Sequence, residues 1–104
     1  MKMKTENLTG RALDYAVAIC DGWSVEYLNN NLYNIPYYST TWSECGQLID
    51  EYFISVIERG DHWVADRPGF DVVKGSTAKE AICRSMIAKL DDEIEIPDEL
   101  LENK

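Results

Sequence analysis

The chain contains one histidine, His62, so any chemistry resting on imidazole must be built around it. A nucleophilic triad needs a nucleophile, a base and an orienting group in contact, and neither Ser nor Cys stands beside His62 in the sequence. It is expected to be a strand residue facing solvent. Cys20, Cys45 and Cys83 are far apart, with no C-x-x-C pair and no Cys/His cluster to hold zinc or run thiol exchange. They read as buried free thiols, which behave as small hydrophobes. Asp50 with Glu51, and Asp91 through Glu93, could be drawn as general acid and base, but such a pair requires environments that push its two pKa values apart. Neighbouring acids in polar runs share one solvated environment. Gly69–Thr77, GFDVVKGST, superficially resembles a phosphate loop, yet five residues separate its glycines and Lys74 precedes Gly75 instead of following it. Arg59-Gly60-Asp61 reads as a hairpin loop. The residues therefore predict a protein that is not an enzyme, with no catalytic residue, no cofactor and no metal.

The residue types with most functional content are aromatic. Trp23, Tyr27, Tyr33, Tyr37, Tyr38 and Trp42 place six of the eleven aromatics in one stretch. Tyr and Trp dominate interface hot spots because they bury large area at small entropic cost and keep a polar handle. The expected interaction surface is Tyr37, Tyr38, Ser39, Thr40 and Trp42, binding an unidentified protein; the competing expectation is that these aromatics fill the core. Stacking on single-stranded nucleic acid is disfavoured because no Lys or Arg lies between Trp23 and Trp42. A second function of a different class is a small-molecule-binding or minimal hydrolytic pocket between Ser39, Thr40 and His62. A third is mimicry of nucleic-acid charge.

The elements that must position these residues follow from periodicity and capping. Thr9 can cap a first helix in which Leu13, Ala16, Val17 and Cys20 recur at helical spacing, with Leu8 as a staple and Gly22 at its end. Trp23 to Tyr38 reads as one or two strands around Asn29–Asn31. Thr41 with Glu44 makes a capping box for a second helix from Trp42 to about Tyr52. Ile54–Glu58 and His62–Asp66 form a hairpin, Pro68 and Gly69 open a loop running to Gly75, and Thr77 with Glu80 caps a third helix over Ala78–Leu90. The fold expected is α+β, three helices packed on both faces of a small antiparallel sheet, an α/β/α sandwich. No repeat or linker interrupts it, so residues 1–104 read as a single domain with an acidic C-terminal segment over 91–104.

The formal charge is -9, and the residues from Asp91 onward carry seven acids against Lys104. Phosphate binding needs displaced counterions and hence Lys and Arg, so direct nucleic-acid binding is not expected. The longest apolar run, Tyr15–Cys20, is far short of the roughly 20 residues that span a bilayer, and the polar start resembles no secretory signal. A cytoplasmic protein, with no membrane partner, is the expectation.

Leu8-Thr9-Gly10, Ala12-Leu13-Asp14, Ala16-Val17-Ala18, Tyr38-Ser39-Thr40 and Trp42, Trp63 with Ala65, then Ala81, Cys83, Arg84 and Ala88, and finally Asp92-Glu93, Pro97 and Glu99-Leu100 form a connected pattern. In these residues the chain resembles the NinX-like family of small temperate-phage and prophage proteins. It departs from the family at Tyr15, Thr41 and Asp91, where Trp, Asp and Gly are usual. The resemblance implies a phage or prophage accessory protein in the cytoplasm of a bacterial host, with an unknown host or phage protein as its partner, and an α/β/α sandwich. It carries no catalytic residues to transfer.

Overall fold

Helix α1, Gly10–Cys20, buries nearly its whole circumference, from Ala12 through Ala18 and again at Cys20. Such all-round burial marks a central helix. It ends as the sequence predicts: the Gly22 amide donates to Ile19 O (3.1 Å) and the Trp23 amide to Ala18 O (3.0 Å), a Schellman closure that Gly22 permits with φ +106°. The computed structural model describes residues 1–101, so the last three residues of the acidic segment lie outside the described residues.

The stretch expected as strands is helical. Helix α2, Val25–Asn30, is nucleated by Ser24, whose Oγ accepts the Tyr27 amide at 3.1 Å, and a 3-10 turn at Leu32–Asn34 follows. A local cap outweighed the strand preference of Val25, Tyr27 and Tyr33. Helix α3, Trp42–Tyr52, has the expected bounds, but the Thr41 side chain makes no capping bond, and the helix closes on an exposed Phe53 in the left-handed region at φ +56°.

Strands β2 (Ser55–Glu58) and β3 (Trp63–Asp66) form the expected hairpin, with Gly60 at φ +95° in its turn. The chain then turns at Arg67–Phe70, with Pro68 and a positive-φ Gly69 at its centre. It does not stay a loop: Val73–Gly75 returns as β4, antiparallel to β3. Helix α4, Ala78–Met86, is capped by Thr77 Oγ1 accepting the Glu80 amide at 3.0 Å. The Glu80 carboxylate accepts instead from Ser76 Oγ (2.6 Å) and Arg84 Nε (2.9 Å), so the reciprocal half of the expected box is replaced. A separate two-stranded ribbon pairs β1 (Lys2–Lys4) with β5 (Glu93–Glu95), setting Lys2 opposite Glu95 and Lys4 opposite Glu93.

The α+β class holds, with four α-helices and two antiparallel sheets among the described residues. The layering is simpler than helices on both faces. Helix α4 packs across β2, β3 and β4, while α1 and α3 pack against α4. Val56, Trp63, Ala65 and Val73 face this core, and the alternate residues of the sheet face outward. Contact between α4 and β4 is close enough that a Cβ on Gly75 would stand 2.4 Å from Ala81 N.

Candidate functional site

Four of the five residues singled out from the sequence, Tyr37 to Thr40, sit on the turn before α3 and the fifth, Trp42, is the first residue of α3; the turn is anchored from beneath by a partly buried ion pair. Asp14, 1% exposed in the middle of α1, accepts from Arg11 Nη1 (2.8 Å) through one carboxylate oxygen and from the Ser39 amide (2.8 Å) through the other. Arg11 in turn donates to Ile35 O (2.8 Å) and Pro36 O (3.2 Å). A buried carboxylate is tolerated because it is both paired and hydrogen-bonded. The consequence is a rigid Ile35–Ser39 segment.

On this base the five residues divide. Tyr37 is 51% exposed and lies under the Arg11 guanidinium, 3.8 Å from its ring centroid. Trp42, also 51% exposed, opens α3 with Lys79 Nζ from α4 4.5 Å from its ring. Thr40 is exposed in the turn, where the Thr40 and Thr41 amides both donate to Tyr37 O. Tyr38 is turned inward: its ring is buried and its hydroxyl donates to Asp21 Oδ2 at 3.0 Å. Burial, followed by the Asp21 charge and hydrogen bond, pushes the Tyr38 phenol well above the ordinary tyrosine range. Ser39 contributes backbone, and its Oγ is buried with no partner among the described residues. Of the wider aromatic stretch, Tyr27 and Tyr33 are exposed, while Trp23 is half-buried against Tyr27 at 5.6 Å. Tyr38 is therefore a core residue, whereas Tyr37, Trp42 and Tyr33 present exposed rings.

Beside Tyr37 a surface cavity of about 440 Å³ is lined by Arg11, Asn29, Asn30, Leu32 and Tyr33 among others. A second of about 500 Å³ shares Asn29 and Glu99 with it and has an apolar wall of Ile19, Val25, Ile94 and Pro97. Together they make a continuous groove along α2. Arg11, Asp14 and Asp21 are the residues that sequence reading missed. The available signal was an acid inside an apolar helical stripe, between Leu13 and Val17, with an arginine three residues before it.

The remaining candidates assemble no site. His62 Nδ1 lies 2.6 Å from Asp61 Oδ1 at the hairpin tip, and among the described residues no hydrogen bond joins it to Ser39 or Thr40. The three cysteines are buried and free, as expected. Cys45 Sγ reaches Lys79 O at 3.9 Å, and the neighbouring Cys83 thiol, pushed up by its contact with Cys45 and by burial, stays protonated. No group of three or more metal-ligating side chains occurs among the described residues. A cleft of about 930 Å³ lies between Lys2, Lys4 and Asp91–Glu93 and is lined by no His or Cys. No described helix is long and apolar enough to cross a membrane.

In comparison with known families, the family model described as Bacteriophage P22, NinX matches residues 4–89, from β1 through the turn after α4. No curated protein matches the chain.

Proposed function

The chain belongs to the Bacteriophage P22 NinX family, and we propose that it serves the phage as a non-enzymatic module that binds another protein in the bacterial cytoplasm. The observation that supports this reading is the turn into α3, with Tyr37, Thr40 and Trp42. It carries two half-exposed aromatics, each under a cation: Tyr37 on the backbone segment held by Arg11 and Asp14, and Trp42 at the start of α3. Preorganised aromatic anchors give binding energy with little ordering cost. Tyr33, 97% exposed, extends the surface toward the groove along α2. The net charge of -9 sets the long-range preference for a basic partner surface.

The test is affinity capture from nuclease-treated lysates of phage-induced cells, with wild type and a Tyr37→Ala, Trp42→Ala double variant compared. Both side chains are half-exposed, so the variant keeps its fold, as circular dichroism will report. Stoichiometric partners of the wild type are expected to be lost from the variant, the two hot spots together contributing about 2 kcal/mol or more, roughly 30-fold in affinity. A folded variant that retains every partner removes this surface from the function.

A further inference from the structure

We infer that the outward face of the three-stranded sheet is an interface between two copies of this chain. This inference is independent of the Tyr37–Trp42 surface. Antiparallel sheets with one solvated face carry polar residues there. This one is only half polar: the alternation that turns Val56, Ala65 and Val73 into the core turns Ile57 and Val64 outward beside Ser55, Asp66 and Lys74, and the exposed Val72 immediately precedes β4. Ile57 is 44% exposed and Val72 57% exposed, both β-branched residues with no cover among the described residues.

The charges on this face identify its occupant. One cross-strand row reads Ile57, Val64, Lys74, and the next pairs Ser55 with Asp66. Asp66 therefore stands two residues along the strand from Val64, and Lys74 stands one strand across from it. Those displacements are about 6.8 and about 4.8 Å, similar enough for flexible side chains to make up the difference. A two-fold axis lying diagonally in the plane of the face exchanges the two positions. Val64 then meets Val64, Asp66 of each copy meets Lys74 of the other, and the strands cross near 90°, one of the two standard ways that sheets pack. Neither Asp66 nor Lys74 has an ion-pair partner among the described residues of its own chain. Arg59 falls at the rim, where water screens it from its own copy. Three strands of at most four residues offer a small contact, so the dimer belongs to the weak class that buries less than about 1,200 Å².

Sedimentation equilibrium of the full chain tests this, over loading concentrations from about 10 μM to about 1 mM, the range in which an interface of this class associates. A reversible shift toward dimer mass is expected. Asp66→Lys and Lys74→Asp, both at exposed positions, are each expected to weaken it about tenfold or more, and the combined swap to restore it. Val64→Glu should abolish it with the circular dichroism spectrum retained. A monomer throughout the range overturns the proposal. So does a dimer indifferent to both single swaps, which would instead indicate pairing along a sheet edge or through another face.

Discussion

Asp21 holds the C-cap of α1, where the carbonyl ends of the helix disfavour a negative charge. The position is stabilised by two phenols: Tyr52 Oη donates to Oδ1 at 2.7 Å and Tyr38 Oη to Oδ2 at 3.0 Å. These bonds join the site turn and the end of α3 to the end of α1. The hydrogen bond to Asp21, then burial and the Asp21 charge, push the Tyr52 phenol up to about 12. A folded-state pKa raised above the ordinary value of about 10 means that the contribution is fully present below pH 10. It is lost as pH rises through about 12. Phenolate absorbance is therefore expected to show a late alkaline step in the wild type. In Asp21→Asn the Tyr52 step should move down toward the ordinary value, because the neutral amide removes the repulsion that opposes ionisation. An unchanged curve in the variant would mean that Asp21 is not the cause. Arg67 provides the opposite example at the other helix end. Its buried guanidinium donates to Met86 O at 3.2 Å, at the C-terminus of α4, between the rings of Tyr52 and Phe70, where the dipole favours a cation.

Gly75 is where β4 touches α4, and the approach is set by the absent side chain. Gly75→Ala is expected to cost about 1–3 kcal/mol by overpacking, read as a lower denaturation midpoint with an unchanged slope; a midpoint equal to wild type would show that the helix can retreat freely. The same pair explains what was legible in the sequence. The helices announced themselves through their ends: Gly22 for α1 and Thr77 for α4 are local signals with a local physical cause. The β2–β3 hairpin was legible for the same reason, with Gly60 between two short apolar runs. Strand β4 was not, since three residues ending in glycine carry no strand periodicity and exist only because β3 and α4 provide a place to pair. Helix α2 was hidden by residues with strand preference, although Ser24 was a visible cap. At the site, the aromatic cluster was legible as a cluster. Its division was not, because Tyr37 and Tyr38 are adjacent and of one type, and only Asp21 decides which of them turns inward.

At the scale of the molecule, the backbone of the acidic segment after Leu90 is built into the fold through Leu101, while its acidic side chains face solvent. Strand β5 pairs with β1, the Thr5 amide donates to Asp92 O at 2.8 Å, and Ile96 is fully buried in the main core. The register sets Lys2 opposite Glu95 and Lys4 opposite Glu93, and the Glu95 carboxylate accepts from the N-terminal ammonium of Met1. Arg84 ties the same region to α4 by donating to Glu6 O (3.1 Å) and Leu8 O (2.9 Å). The sequence shows only a run of acids here, because pairing between the two ends of a chain leaves no local pattern. If the segment belongs to the cooperative unit, Ile96→Ala leaves a cavity in the shared core and costs about 2–5 kcal/mol. The loss should appear as a single denaturation transition at a lower midpoint, followed equally by tryptophan fluorescence, which reports Trp23 and Trp63, and by circular dichroism. Were the segment only docked, the variant would release it: the main midpoint would stay where it is, and amides of β1 and β5 alone would lose their protection from hydrogen exchange. The burial of Ile96 beside Met3, Ile94 and Leu100 against one core favours the single transition, since no described boundary separates the ribbon's apolar face from that of α1.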